Sequence, residues 1–264
     1  MSQNRRCVIR PLVTIFGILP LVGCMQLPYH AMQQLNQAKQ DYQGQDYLAA
    51  TGTLDKILNT YPKNPGSAEA YFVRALCHSK LSNKKQAESD ARKCIKLSPQ
   101  ADLTSDAHAT LATLLYESGR TREALTHFSE AFKNTRGRSN EDVVIYRYAL
   151  CLQREGQWKE ARIQFEQIYQ HYPNTTTAQH ARRLFDWPHD YYSIQCGAFR
   201  DKGAASMQSR ELRRSGLSSR VERRRRSGEQ LYTVYVGKYS RYGQAKDALP
   251  SVRRQIRDAF VMPQ

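Results

Sequence analysis

From residue 30 to about 186 the apolar positions recur at helical spacing, and the pattern itself repeats every 37 residues. Ala38, Ala75, Ala112 and Ala149 are one such step apart, as are Ala50, Ala87, Ala124 and Ala161. Four residues beyond the second set stand Leu54, Ala91, Phe128 and Phe165; three further on come Ile57, Cys94, Ala131 and Ile168. Each unit therefore reads as two amphipathic helices joined by a short turn, with small alanines where two backbones approach closely. Gly119 and Gly156 mark the turn in the third and fourth units, Ser82 holds that place in the second, and Gly44 is one residue off it in the first. Pro62, Pro99 and Pro173 close three units, with Arg136 at that place in the remaining one. A proline ends a helix because it lacks the N–H that the next turn needs. One such hairpin cannot bury its own apolar face, so four of them must stack. After Pro173, TTTAQHARRLFD predicts a further amphipathic helix that caps the stack.

The period changes near Trp187-Pro188. Tyr192, Ile194 and Cys196 alternate with Tyr191, Ser193 and Gln195, which is the pattern of a half-buried strand. Residues 201–215 read as a helix stopped by Gly216, a strand follows around Val221, and a turn at Ser227-Gly228 leads into the strand LYTVYV. Ala245, Leu249, Val252 and Ile256 predict a second helix, which Pro250 should kink or shorten, and residues 259–261 predict a last short strand. The order is βαββαβ: a four-stranded sheet with two helices on one face. The expected fold is thus multidomain, an all-α solenoid followed by an α+β domain.

The helical units resemble the tetratricopeptide repeat, most clearly in Ala149, Gly156, Trp158, Ala161, Phe165, Ile168 and Pro173. The resemblance implies a binding array whose first helices line a concave groove. By the family's pattern that groove shows Lys39, Tyr42, Phe72, Lys80, Tyr116, Tyr146 and Arg154, a mixture suited to a peptide with acidic and apolar side chains. The same residues also suit an ordinary solvated helix face. In the last quarter, YSIQCGAF and YTVYVGKY echo each other, each a strand ending in glycine before a helix. Gln195, Gly197 and Phe199, then Val236 and Gly237, resemble the signature of the SPOR domain. That resemblance implies binding of peptidoglycan glycan strands stripped of stem peptides, on the open face of the sheet. Carried over by position, the contacts are Gln195, Ala198, Leu231, Thr233 and Phe260, joined by Ser193 and Tyr235 through strand alternation. Thr233 stands where many relatives have Arg, and Leu231 where an aromatic is frequent.

The N-terminus bears on compartment. Arg5, Arg6 and Arg10 precede the apolar run PLVTIFGILPLVG, which is too short to span a bilayer, since a spanning helix takes about 20 residues. The run ends Leu21-Val22-Gly23-Cys24, which resembles a lipoprotein signal and implies lipidation of Cys24. The expected division is a signal peptide at 1–23, a lipidated tether at 24–29, repeats at 30–186, a linker at 187–189 and a SPOR domain at 190–264. The expected place is the periplasmic face of the outer membrane, at or near the septum.

Charge sharpens the picture. The 264-residue chain carries a formal net charge of +16, and residues 190–264 hold 16 lysines or arginines against 7 acids. Arg223, Arg224, Arg225 and Arg226 form a run that is either a solvated hairpin tip or a contact for an anionic polymer. The export signal argues against nucleic acid as a partner. Of six cysteines, Cys77, Cys94, Cys151 and Cys196 lack metal-ligand spacing; they suit burial, although a Cys77–Cys94 bridge is open to an oxidising compartment. No catalytic constellation, metal site or cofactor motif stands out. The expected function is a non-enzymatic envelope lipoprotein that binds peptidoglycan, anchors in the membrane by its lipid and docks a protein partner in the groove, in cell division or wall remodelling. The alternatives are an assembly factor for outer-membrane proteins and an activator of a wall hydrolase.

Overall fold

The computed structural model describes residues 26–226 and 228–263. The expected signal segment and Cys24 lie outside the described residues. Four helical hairpins follow one another: α1 (Tyr29–Gln43) with α2 (Tyr47–Thr60), α3 (Ala68–Lys80) with α4 (Lys84–Leu97), α5 (Ala101–Glu117) with α6 (Thr121–Phe132), and α7 (Glu141–Arg154) with α8 (Trp158–His171). α9 (Thr176–Phe185) packs on α8 and α7 and completes the stack.

The 37-residue period has a direct structural meaning. Ala38, Ala75, Ala112 and Ala149 are all fully buried, and so are Ala50, Ala87 and Ala124, with Ala161 nearly so. A methyl at each crossing lets two helices approach where a larger side chain would hold them apart. Phe128 and Phe165 fill the wider layers of the third and fourth units. α2, α4 and α8 each end two residues before the proline that closes the unit. α6 ends four residues before Arg136, and the loop 133–140 follows it.

One position in every hairpin turns left-handed: Gln45, Ser82, Gly119 and Gly156, at φ between +63° and +84°. The first unit uses Gln45, not Gly44, whose φ is −72°. The period, rather than the residue type, sets which residue turns. The next residue then opens the second helix; in the first unit it is Asp46, whose side chain accepts from the Ala49 N–H, while Asn83, Arg120 and Gln157 make no such cap bond.

The C-terminal part is an antiparallel sheet in the order β2-β3-β1-β4, with β1 (Tyr192–Phe199), β2 (Ser219–Arg226), β3 (Glu229–Tyr239) and β4 (Phe260–Pro263). α10 (Lys202–Arg214) and α11 (Tyr242–Arg253) share one core with Ile194, Cys196, Val234 and Val236. Pro250 does not cut α11 short, because it stands in the last turn and only Ser251, Val252 and Arg253 follow it in the helix.

The glycines of the echoed strands explain their own motif. A Cβ on Gly197 would sit 2.7 Å from the Phe199 ring, and one on Gly237 would overlap the Tyr239 ring. Each aromatic two residues on folds back over its glycine, so the spacing Gly-x-aromatic is a packing requirement of the strand end. The four described cysteines are free and buried, which leaves no Cys77–Cys94 bridge. Burial pushes the Cys94 and Cys151 thiols up to about 12 and the Cys196 thiol up to about 11, so none is a poised nucleophile.

Candidate functional site

Two surfaces are candidates: the sheet face opposite α10 and α11, and the concave side of the helical stack. The first is less open than its pattern suggests. Ser193 is fully buried, and Thr233 and Tyr235 are 4% and 2% exposed. Ser193 Oγ donates to the Gly237 carbonyl at 2.8 Å and accepts from Arg220 at 2.9 Å, so its hydroxyl is already engaged. It supports the face and offers nothing to a ligand. Arg220 also donates to the Gly237 carbonyl and to Glu222, and its guanidinium lies over the Tyr235 and Tyr191 rings. Glu222 bridges Arg220 and Arg224, the three standing at every second position of β2. Burial raises the Glu222 carboxyl, but the hydrogen bond and charge of Arg220, with the charge of Arg224, outweigh it and hold the group below the usual carboxylate range.

The arginine run is strand up to the hairpin turn. Arg223 to Arg226 belong to β2 and pair with Glu229 to Tyr232 of β3. Alternation separates them, and Arg224 shares the face of Arg220 and Glu222. Arg223 and Arg225 are exposed. What stays open on this face is a cleft of about 490 Å³ lined by Gln195, Ala198, Leu231, Thr233, Tyr235 and Phe260, together with Arg224, Arg225, Met262, Pro263 and Trp187. Phe260 is 47% exposed at its rim. Six of the seven expected sheet contacts thus line one cavity. Trp187, Met262 and Pro263 join them without having been singled out in the sequence. The 2.0 period of β1 extended into β4 would have found Met262, which is paired with Ser193. No local pattern marked Trp187.

The concave side is a chain of shallow clefts. Lys39, Tyr42, Glu69, Phe72 and Asp106 line one of about 320 Å³, and Phe72, Asp106, Thr110, Thr113, Arg138 and Arg147 line the next, of about 470 Å³. Lys39 pairs with Glu69 at 2.6 Å and Arg138 with Asp106 at 2.5 Å, while Arg147 donates to Thr113 Oγ. Of the expected groove residues, Lys39, Tyr42 and Phe72 are here. Lys80 is exposed at the end of α3 and lines neither cleft. Tyr146 packs between Phe165 and His180, inside the α7–α8–α9 layer.

Tyr116 and Arg154 are elsewhere, at the junction between the repeats and the sheet. The Arg154 guanidinium sits over the Tyr116 ring at 3.8 Å and over Tyr242 of α11 at 4.6 Å. They stand in the last turns of α5 and α7, beyond the groove-lining positions at Thr113 and Arg147. Burial pushes the Tyr116 phenol up to about 12 against the pull of Arg154. Beside them Trp158 donates its indole N–H to the Ser240 carbonyl at 3.0 Å and packs on Tyr192 at 5.0 Å between ring centroids. A Cβ on Gly156 would come within 2.9 Å of the same Ser240 carbonyl, so the fourth hairpin turn is itself part of the contact. Arg162 of α8 closes the other side, pairing with Asp190 at 2.5 Å and donating to the Trp187 carbonyl at 3.1 Å.

Neither surface gathers a catalytic set. Among the described residues no group of three or more His, Cys, Asp or Glu could hold a metal ion, and no helix is long and apolar enough to cross a membrane. His108 and His127 meet across α5 and α6, Nδ1 to Nδ1 at 2.9 Å. Burial and the neighbouring His108 lower His127 to about 4, so the pair is held neutral with one imidazole donating to the other.

The comparisons with known proteins agree with this architecture. The SPOR domain model matches residues 188–263, and two tetratricopeptide repeat models match residues 68–100 and 144–175. A curated relative, Protein SGT1 homolog of Dictyostelium discoideum, is 41% identical over 66 residues; these are 25% of this chain and 16% of that protein, so the chain spans a small part of that relative's length. Among solved structures, a tetratricopeptide repeat protein from Parabacteroides merdae has a TM-score of 0.50 at 12% identity, covering 70% of this chain and 64% of that one. YrrB, a TPR protein described as having an unusual peptide-binding site, has a TM-score of 0.49 at 20% identity, covering 58% of this chain and 76% of that one. Fold and family models converge: the chain carries tetratricopeptide repeats within its helical part, matched at residues 68–100 and 144–175, and a SPOR domain at its C-terminal end.

Proposed function

We propose that this protein is a non-enzymatic lipoprotein of the cell envelope. Its SPOR domain binds glycan strands stripped of stem peptides, and its repeats hold a protein partner at sites of division or wall remodelling. A SPOR domain carries an association with peptidoglycan, and tetratricopeptide repeats carry protein interaction. The observation that supports the finer reading is the cleft on the sheet. It puts the polar residues Gln195, Thr233 and Arg224 beside the apolar Leu231, Phe260 and Met262. A sugar strand presents hydroxyls at its edges and C–H groups on its faces, so a site of this mixed kind matches it, whereas a purely charged surface does not. Cys24 as the lipid anchor, the outer membrane as its location and the septum as its address belong to the same proposal and rest on the N-terminal pattern.

Co-sedimentation of the full chain in detergent with intact and with amidase-treated sacculi tests the reading. Stronger retention on treated sacculi, persisting at moderate salt, is the expected result. Equal retention on both, lost in salt, would indicate charge attraction through the basic strand β2 and overturn the denuded-glycan reading.

A further inference from the structure

We infer that Trp187, in the segment that joins the repeats to the sheet, is a wall of the saccharide site and stacks on a ring of the bound glycan. The inference rests on the glycan reading above and adds a residue and a second structural source to it. Of the aromatic side chains that the sheet contributes to the cleft, Tyr235 is 2% exposed and lies under Arg220 and Arg224, which leaves Phe260 as the sheet's exposed ring. Thr233 and Leu231 supply a hydroxyl and a branched chain, not flat surface. Trp187 lines the same cavity and supplies the broad, rigid face that they lack.

Two further observations single out this residue. Its indole Nε1 is buried with no hydrogen-bond partner, so the fold holds this ring in place without satisfying its one polar atom. Its backbone is also held from outside the SPOR domain. Arg162 on α8 donates to the Trp187 carbonyl and pairs with Asp190, three residues on. The cleft is therefore composite: β1, β2, β3 and β4 form its floor and rim, and the fourth repeat holds one wall in place.

The test uses the full chain in detergent and, as the probe, soluble glycan strands released from amidase-treated sacculi. Trp187→Ala should weaken binding by roughly tenfold, the loss of one stacked ring, while Trp187→Phe keeps most of it. The chain has two tryptophans, and Trp158 is buried in the junction, so glycan should shift the indole emission of the wild type and leave that of Trp187→Ala and Trp187→Phe unchanged. Melting curves matched to the wild type establish that the variants are folded. Wild-type affinity in Trp187→Ala overturns the inference while leaving the glycan reading intact. Tighter binding by Trp187→Ala also overturns it, since the ring would then be a cover over the cleft. No binding by the wild type removes the glycan reading and this inference together.

Discussion

The concave side of the repeats and the open face of the sheet are both binding surfaces by architecture, yet they are built in opposite ways. Along the groove, charged side chains neutralise one another from helix to helix, as in Lys39 with Glu69 and Arg138 with Asp106, and the clefts stay shallow. On the sheet, Ser193, Thr233 and Tyr235 are buried, Ser193 accepts from Arg220, Tyr235 lies under Arg220 and Arg224, and the opening narrows to one cleft. A surface of exposed charges paired with one another can exchange those partners for the charges of varied peptides. A surface whose polar groups are fixed by one another is set for one ligand shape. The junction separates the two regimes, and the largest expected effects lie there.

Trp158→Ala should be the most damaging change. It empties a nearly buried indole from the contact of two domains and leaves the Ser240 carbonyl without its donor, for about 3–5 kcal/mol. Thermal unfolding should then split into two transitions, one for the repeats and one for the sheet, where the wild type shows one. A single unshifted transition would mean that the domains fold without reference to each other. Gly156→Ala and Gly119→Ala sharpen the point. Both glycines turn at nearly the same φ, +84° and +83°, so both variants lose about 1–2 kcal/mol to backbone strain. Only at Gly156 does the new methyl also meet the Ser240 carbonyl, so chemical denaturation should show Gly156→Ala as the weaker protein of the two.

A smaller effect concerns pH. His127 titrates near 4 in the folded protein and near 6.5 when unfolded, so between those values the unfolded chain binds the extra proton. Stability from this group is complete above the unfolded value and is lost as pH falls toward the folded one. His127→Gln should flatten the fall in melting temperature between about pH 6.5 and 4; an unchanged slope would rule out the imidazole pair as its source. The smallest effect on stability should come from Arg147→Ala in the groove, within about 0.5 kcal/mol for an exposed side chain. If the groove holds an acidic peptide, a pull-down of the native partner should nonetheless weaken, which separates binding from folding on this surface.

Much of the fold was legible because it is periodic. A 37-residue step in alanine placed four hairpins, and a 2.0 period placed the strands. The step even locates the left-handed residue at Gln45, although glycine one place earlier drew attention first. The candidate cleft was legible where the SPOR resemblance carried positions over, as for Gln195, Thr233 and Phe260, which line one cavity. It was not legible where two domains meet. Tyr116 and Arg154 carry the residue types of a peptide groove, and nothing local in the sequence says that α11 will cover them. The same holds for Ser193: alternation puts it on the open face, but only the fold brings Arg220 over it.

The Arg162 and Trp158 contacts have a mechanical consequence. Tension applied between the first repeat and the sheet has two parallel routes at the junction. One runs through the covalent chain of α9 and the segment after it. The other crosses directly from α8 to β1 and to the turn before α11, through Trp158, Tyr192 and the Arg162–Asp190 pair. While those contacts hold, the segment after α9 bears little load. If they part, the segment between the end of α9 at Phe185 and the start of β1 at Tyr192 becomes the sole connection, and it extends before the packing of α9 on α7 and α8 is loaded.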